Sequence, residues 1–228
     1  MIELKDASKA YPNGVHALNH IDLRIDPGEF VYVIGPTGSG KSTLIKLLNG
    51  EEVADSGTVT VNGTNVGALK HRKVPKYRRN IGCIFQDYRL LPRLTVYENI
   101  AFALEVTGTP SKQIRQRVRE VLELVDLKDK ERAYPDELSG GQQQRVTIGR
   151  AIANRPSILI ADEPTGNLDP NMSLEIIELL EKINQTQGTT IVMVTHDREL
   201  VDRFRKRTIM LDKGYIVHDS SKGGYKSL

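Results

Sequence analysis

Residues 35–43 read GPTGSGKST and match the pattern G-x-x-x-x-G-K-[ST]. They lie between EFVYVIG (29–35), a short β-rich run, and STLIKLLNG (42–50), which has helix-forming residues and stops at a glycine. A strand, a glycine-rich turn and a helix in this order surround an anion with backbone N–H groups and the positive end of the helix. We therefore predict that this stretch binds phosphate, and is not a glycine turn that merely carries a lysine.

The residue types in this loop suit a nucleotide. Gly35, Gly38 and Gly40 allow a tight loop whose N–H groups point inward, and Lys41 places a positive charge between the β- and γ-phosphates. The Ser42 hydroxyl is suited to coordinating Mg²⁺. The predicted nucleotide-binding residues of the loop are Gly35, Pro36, Thr37, Gly38, Ser39, Gly40, Lys41, Ser42 and Thr43.

A second, acidic element follows a later apolar strand. ILIADEP (158–164) ends in Asp162 and Glu163, and carboxylates at the carboxyl end of a parallel strand face the ligand crevice. Asp162 can hold Mg²⁺ and Glu163 can polarise an attacking water. The pattern alone is equally typical of a strand followed by an acidic turn. Beside a phosphate loop, it indicates Mg²⁺-dependent hydrolysis of a nucleoside triphosphate.

Hydrophobic patterning predicts an α/β fold. SILIAD (157–162) and TTIVMVTHD (189–197) are nearly continuous apolar runs, as in parallel strands buried on both faces. TVTVNG (58–63) alternates like an antiparallel strand, and helical spacing of apolar residues marks 112–126 and 174–183. We predict one domain over 1–228. Its parts are a nucleotide-binding core with an antiparallel β subdomain (about 1–86 and 157–218), an inserted helical subdomain (87–156) and a flexible tail (219–228).

A third glycine-containing motif precedes a predicted helix. LSGGQQQR (138–145) runs into VTIGRAIANRP (146–156), which Pro156 closes. Ser139 is a good N-cap, and Gly140 and Gly141 let a ligand approach the backbone closely. The chain would then have two helix N-termini suited to phosphate. The structural alternative is a glycine turn that caps a surface helix.

LSGGQ, placed between GPTGSGKST and ILIADEP, resembles the ATP-binding-cassette (ABC) ATPase superfamily over nearly all of the chain. The resemblance implies a P-loop NTPase with a RecA-like parallel-sheet core. It also implies that Tyr11 stacks on adenine, that Gln86 contacts Mg²⁺ and the attacking water, that Asp169 belongs to the D-loop and that His196 holds the γ-phosphate. Taken alone, a Tyr at a strand end is at least as often structural, and a lone His at a strand end is usually structural.

The same resemblance implies how two chains share a site. Two subunits would form a head-to-tail homodimer, in which LSGGQ of one chain closes over the ATP held by the other. Ser139, Gly140, Gly141 and Gln142 would then complete the nucleotide site. The implied catalytic residues are Glu163, His196 and Gln86, and the implied Mg²⁺ ligands are Ser42, Gln86 and Asp162.

Local sequence points to one branch of that superfamily. Residues 74–86 (VPKYRRNIGCIFQ), 87–102 (DYRLLPRLTVYENIAF) and 161–170 (ADEPTGNLDP) resemble the cell-division ATPases. Lipoprotein-release and macrolide-type exporter ATPases share much of this local sequence, so they are the alternative to the cell-division branch. The pair Gln142-Gln143 departs from the LSGGEQQR that is frequent in the family. A recruitment scaffold with a vestigial nucleotide site is a third hypothesis, which the intact site residues disfavour.

The cell-division resemblance implies a partner and a location. An FtsX-like integral membrane subunit would contact the region after Gln86 and pass the ATP cycle on to peptidoglycan hydrolysis. The protein would then be peripheral, at the cytoplasmic face of the cell membrane. Tyr88, Leu90, Leu91 and Pro92 would meet this partner; the alternative is that Leu90 and Leu91 pack against the helical subdomain.

Composition limits the other function classes. Lys plus Arg is 32 against 29 for Asp plus Glu, so the net charge of +3 is too mild to indicate nucleic acid. The one cysteine, Cys83, excludes a disulfide framework and a Cys-based zinc site, and fits a small buried residue in a reducing compartment. No run approaches 18 apolar residues, so we expect a cytoplasmic protein whose membrane role comes through a partner.

A basic cluster lies before the strand that ends at Gln86. It consists of His71, Arg72, Lys73, Lys76, Arg78 and Arg79. It is either a solvated basic face or a contact with anionic lipid head groups or with the partner's cytoplasmic segment. Only Tyr77 interrupts it, so no interleaved aromatic set points to nucleic acid.

Overall fold

A computed structural model describes residues 1–221 and residue 223. Its strands are β1 (Ile2–Ala10), β2 (His16–Ile25), β3 (Phe30–Ile34), β4 (Ser56–Val61), β5 (Thr64–Asn65), β6 (Ile81–Phe85), β7 (Ile158–Asp162), β8 (Thr190–Val194), β9 (Arg207–Asp212) and β10 (Tyr215–Ser220). Its α-helices are α1 (Lys41–Leu48), α2 (Val74–Arg78), α3 (Val96–Glu105), α4 (Ser111–Leu124), α5 (Gly140–Ile152), α6 (Pro170–Gln187) and α7 (Arg198–Phe204).

The central sheet has six strands in the order β10-β9-β3-β8-β7-β6. Five of these strands are parallel, and β10 pairs antiparallel with β9 at one edge. All five residues of β3 are buried, because both faces of the sheet are covered. Tyr32 and Ile34 point into one hydrophobic cluster, and Val31 and Val33 point into the other.

A second sheet is antiparallel and has the order β2-β1-β4-β5. Strand β1 pairs with β2 on one side and with β4 on the other. Its apolar face belongs to the same cluster as α1 and as Val31 and Val33 of the central sheet. The antiparallel strand predicted at 58–63 is thus present as β4.

Residues 87–156 contain α3, α4, α5 and two short 3₁₀ turns, and no strand. Gly149 allows α5 to approach its neighbours, because a Cβ at that position would lie 3.1 Å from Val121 and 3.2 Å from Ile100. The helix predicted at 146–156 begins at Gly140, where Ser139 caps it, and ends at Ile152 ahead of Pro156. The division into subdomains stays a prediction.

Two further sequence predictions concern the chain end and the membrane. Asp219 and Ser220 of the predicted tail complete β10, and the tail residues 222 and 224–228 lie outside the described residues. In the part of the chain that the structure describes, no helix is both long enough and apolar enough to cross a bilayer.

Candidate active site

The glycine-rich loop joins β3 to α1, as the sequence predicts. Gly35 has φ +148° and Gly40 has φ +108°, values that other residues rarely adopt. A Cβ would lie 2.1 Å from the Leu211 carbonyl oxygen at Gly35, and 2.4 Å from the Ala17 carbonyl oxygen at Gly40. The loop is therefore held tightly against β9 and β2, and its shape depends on both glycines.

Lys41 lies over the loop that it follows. Its Nζ donates hydrogen bonds to the carbonyl oxygens of Gly35 (2.8 Å) and Pro36 (2.9 Å). Burial lowers the pKa of Lys41, and the carboxylates of Glu163 and Asp162 partly offset this effect. The Lys41 ammonium group thus lies at the phosphate loop and interacts electrostatically with the carboxylates of Glu163 and Asp162.

The first turn of α1 carries the remaining residues of the loop motif. Ser42 is exposed and Thr43 is buried. The Thr43 hydroxyl lies 3.3 Å from the Tyr11 hydroxyl, so Tyr11, directly after β1, is brought to the loop. Its stacking on adenine stays a prediction, since the same contact would suit a structural tyrosine.

Asp162 and Glu163 follow each other at the carboxyl end of β7. Burial, and next the charge of Glu163, raise the pKa of Asp162, while Lys41 opposes the shift. Glu163 has φ +48°, in the left-handed region. Its backbone N–H donates to the Val194 carbonyl (3.0 Å), which ties this turn to the end of β8.

His196, two residues after β8, contacts Glu163 directly. Its Nδ1 lies 2.9 Å from the Glu163 Oε1, and its backbone N–H donates to Oε2 at 3.4 Å. The Glu163 side chain is 17% exposed and that of His196 is 72% exposed. The structure thus pairs two of the three predicted catalytic residues, with the imidazole on the solvent side.

Gln86, the third, follows β6, whose last residue Phe85 pairs with Asp162. Its Nε2 donates to the Asn167 Oδ1 (3.4 Å), and the Asn167 side chain donates to the Gln86 carbonyl (3.0 Å). Asp169, two residues later, caps α6 by accepting from the N–H groups of Asn171 and Met172. The sequence analysis missed Asn167, although it lies in the same GNLD stretch as Asp169.

The predicted second phosphate site lies at the start of α5. Ser139 accepts from the Gln142 N–H (3.3 Å), and the Gln142 side chain accepts from the Ser139 N–H (3.0 Å). This capping box corresponds to the structural alternative given above, in which residues 138–141 cap a helix. A Cβ on Gly140 would lie 3.1 Å from the Tyr88 hydroxyl, and one on Gly141 would lie 2.0 Å from the Met172 Cε.

The structure therefore gathers most of the predicted site residues at one edge of the central sheet. The loop 35–43, Gln86, Asp162, Glu163 and His196 all follow the carboxyl ends of parallel strands. The described neighbours of Gly140 and Gly141 are instead Tyr88, Leu168 and Met172. The role of residues 139–142 in binding nucleotide stays a prediction.

The fold and the site together define an ATPase of the ATP-binding-cassette class. Residues 18–166 match the ABC transporter family, and the chain belongs to that family. The chain is 55% identical to the cell division ATP-binding protein FtsE of Bacillus subtilis (strain 168), over all of this chain and 99% of that protein. It is 53% identical to FtsE of Streptococcus pneumoniae (strain D39), over 99% of this chain and 97% of that protein.

A solved structure extends the comparison to the fold. The dimeric post-hydrolysis state of the ATP-binding cassette MJ0796, bound to ADP and Pi, superposes with a TM-score of 0.87 at 37% identity. The match covers 99% of this chain and all of that one. The predicted fold class and the prediction of an ABC-type ATPase are confirmed.

Proposed function

We propose that the protein hydrolyses ATP to ADP and phosphate as a head-to-tail homodimer, and that the cycle drives an FtsX-like membrane subunit in cell division. The observation that carries the proposal is the presence of two helix N-termini suited to phosphate in one chain. One is α1 behind the glycine loop and the other is α5 behind the Ser139 cap. The dimeric MJ0796 cassette and the FtsE relatives support the assembly and the cellular role.

ATP would change the contacts of Lys41. Its ammonium group would exchange the carbonyl oxygens of Gly35 and Pro36 for β- and γ-phosphate oxygens, while the loop N–H groups hold the same phosphates. In the dimer, Ser139, Gly140, Gly141 and Gln142 of the second chain would add a helix end to the γ-phosphate. These donors stabilise the charge that develops during phosphoryl transfer.

Glu163 is the proposed group that polarises the attacking water. Its carboxylate now contacts His196, so hydrolysis requires that this contact open or that both groups share the water. The exposed His196 imidazole can turn towards the γ-phosphate, whereas Glu163 is held by its backbone. Gln86 would orient the same water with its amide, which offers both an acceptor and donors.

The residues present fit a magnesium ion. Ser42, Gln86 and Asp162 offer hydroxyl, amide and carboxylate oxygens, which are the donors that Mg²⁺ prefers. Over residues 1–221 and 223, no cluster of three or more His, Cys, Asp or Glu side chains is arranged to hold a metal. This suits an ion held by few side chains together with substrate phosphates. When bound, Mg²⁺ would neutralise phosphate charge and would offset the repulsion between Asp162 and Glu163.

The proposed partner site is a groove of about 450 Å³ beside β6. Its lining includes Arg78, Cys83, Phe85, Val106 and Arg150. Phe102 on α3 and Val106, the C-cap residue of that helix, are exposed at 42% and 54%. A cytoplasmic segment of the membrane subunit would bury this apolar edge close to Gln86.

The segment after Gln86 is partly structural. Leu90 packs against the larger hydrophobic cluster, which is the packing alternative for this residue. The buried Asn99 side chain accepts from the Leu91 N–H (2.9 Å) and donates to the Leu91 carbonyl (3.1 Å). The backbone of Leu91 is thus fixed while its side chain remains partly exposed, which suits a contact with a partner.

Two variants test the ATP cycle. Lys41→Ala should lose ATP binding, whereas Glu163→Gln should bind ATP and accumulate as a dimer. Light scattering coupled to gel filtration, with and without ATP and Mg²⁺, reports the mass. A Glu163→Gln protein that binds ATP and stays monomeric would contradict the shared site.

The membrane subunit that co-purifies with the chain tests the cellular role. We expect an FtsX-like protein, and Leu91→Asp should weaken its capture without affecting ATP binding. Capture of a lipoprotein-release or macrolide permease would favour the exporter alternative. The Bacillus subtilis and Streptococcus pneumoniae relatives are both named as cell-division proteins, which does not favour an exporter.

A further inference from the structure

Positive charge is concentrated in one short segment. Residues 56–86 contain six Lys and Arg residues and no Asp or Glu, so their formal charge is +6 in a chain whose total is +3. The remaining residues together carry −3. The six cations, which we call the basic surface, are Lys70, Arg72, Lys73, Lys76, Arg78 and Arg79. The mild net charge of the chain conceals this polarity.

Most of these charges have no carboxylate partner. All six residues are exposed, and within the described residues no ion pair involves Lys70, Arg72, Lys73, Lys76 or Arg79. An ordinary solvated helix face intersperses both signs of charge. Here five cations crowd together at the cost of mutual repulsion.

The acidic residues that flank the segment are engaged elsewhere. Glu52 and Asp55 contact the Lys9 Nζ at 3.3 and 3.2 Å. Glu51 accepts from the Asn49 side chain at 2.6 Å, and Asp87 pairs with Arg89 at 3.1 Å. The basic surface is therefore not neutralised by the nearest carboxylates in the chain.

The surface is also held rigidly. Tyr77 is buried and its hydroxyl donates to the Leu48 carbonyl at the end of α1. Arg78 donates to the carbonyl oxygens of Asn49 and Gly50, both at 3.0 Å. Helix α2 is thus fixed to the phosphate-loop helix by its last two residues, while Lys73 and Lys76 are exposed.

We infer that the basic surface binds the head groups of a membrane that contains anionic lipids, directly and without a membrane partner. A rigid, exposed group of cations fits a diffuse negative plane, and each such residue strengthens binding to an anionic bilayer. Stacking of nucleic-acid bases is disfavoured, because the one aromatic residue among these cations, Tyr77, is buried.

The position of the surface agrees with this partner. Arg78 and Arg79 line the groove beside β6, so a membrane subunit seated there would bring the bilayer to the same side of the molecule. This agreement rests on the proposed function, whereas the charge argument does not.

Vesicle sedimentation with the full chain alone tests the inference. We expect binding to vesicles of about one third phosphatidylglycerol in phosphatidylcholine, none to pure phosphatidylcholine, and release as NaCl rises from about 0.1 to 0.5 M. The variant Arg72→Gln/Lys73→Gln/Lys76→Gln should bind the anionic vesicles about 100-fold more weakly, because each charge removed should lower the affinity about fivefold.

A control variant on α4 has the same net charge. Lys112→Gln/Arg115→Gln/Arg119→Gln removes three exposed cations that share their helix with Glu120 and Glu123, and should bind vesicles like the unmodified chain. An equal loss in both variants, or no binding of the unmodified chain, would overturn the inference. Tighter binding to poly(U) than to the vesicles would assign the surface to nucleic acid instead. ATP hydrolysis is assayed separately, so failure of the proposed function is distinguishable from failure here.

Discussion

The guanidinium group of Arg150 on α5 donates hydrogen bonds to the carbonyl oxygens of Tyr88 (3.0 Å) and Arg89 (2.5 Å). The Thr147 hydroxyl, one turn earlier, donates to the same Tyr88 carbonyl (3.0 Å). Tyr88 and Arg89 have φ of +55° and +50°, a conformation that costs about 1–2 kcal/mol per residue. The helix that begins at LSGGQ therefore holds the segment directly after Gln86 in a conformation that the segment would not adopt alone.

Removing this clamp should slow hydrolysis more than it weakens ATP binding. Arg150→Ala frees the Tyr88–Arg89 backbone, so we expect kcat to fall about tenfold or more while the KM for ATP changes little. The lost charge-assisted hydrogen bonds should lower stability by about 1.5–3 kcal/mol. Steady-state kinetics and thermal unfolding measure both effects. Arg150→Lys should recover part of kcat, and the exposed Arg115→Ala on α4 is the control.

The contact between Gly141 and Met172 should appear as a coupling between two variants. A Cβ on Gly141 would lie 2.0 Å from the Met172 Cε, so Gly141→Ala forces the Met172 side chain to move and should cost about 1–3 kcal/mol. Met172→Ala removes the obstructing atoms. The double variant should therefore be less destabilised than the sum of the single variants. Strict additivity in chemical denaturation would contradict the contact.

Two loop glycines should respond differently to the same change. Gly40→Ala would place a Cβ 2.4 Å from the Ala17 carbonyl, a backbone atom that cannot move aside. Gly38→Ala, at φ +79°, would place a Cβ with no heavy atom within 4 Å. We expect Gly40→Ala to abolish ATP binding or folding, and Gly38→Ala to cost only the backbone strain of about 1–2 kcal/mol. Circular dichroism and fluorescent-nucleotide titration separate these outcomes.

Cys83 should be almost inert in the folded protein. Burial raises the pKa of its thiol from 9.0 to about 11, which keeps the thiolate about a hundredfold scarcer at pH 8. Alkylation by iodoacetamide should be slower by about this factor than in the protein unfolded in guanidinium chloride. The rate in the folded protein should rise about tenfold per pH unit up to pH 11. Equal rates in both states at pH 8 would contradict this prediction.

Asp162→Asn should stabilise the nucleotide-free protein at neutral pH. The pKa of Asp162 is raised in the folded state, so its ionisation opposes folding at any pH above the folded pKa. Below the ordinary Asp pKa of 3.8 the carboxyl is neutral in both states, and the gain should vanish. Melting temperatures at pH 7 and pH 3.5 measure the difference, and the variant should lose stabilisation by ATP with Mg²⁺. A lower melting temperature at pH 7 would show that Asp162 is needed to balance Lys41.

The elements with strong local signals were predictable. The apolar runs 157–162 and 189–197 are strands β7 and β8, and the loop 35–43 joins β3 to α1. These segments follow from local rules, because burial on both faces demands continuous apolar residues and a phosphate loop demands glycines. The N-cap predicted at Ser139 is confirmed, and the helix that it caps begins at Gly140, before the apolar stretch 146–156.

Side-chain partners were less predictable. Arg150, Thr147 and Asn167 carry no signal of their own, since an arginine or threonine in a helix and an asparagine in a turn are common at surfaces. Each acts on a carbonyl or amide 59 to 81 residues away along the chain. Such pairs form only when α5 and the turn after β7 are packed beside the end of β6.

The amino-acid sequence was enough to predict the residue types of the site and the order of strands, loops and helices that carries them. Those depend on short-range requirements: glycine at positive φ, a carboxylate at a strand end, a hydroxyl at a helix cap. Three relationships become visible only in the folded chain: His196 contacts Glu163, Tyr88 lies beside Gly140, and the basic surface has no carboxylate partner among the described residues. Those relationships depend on which strand ends and helix faces become neighbours, and the packing of both sheet faces fixes them.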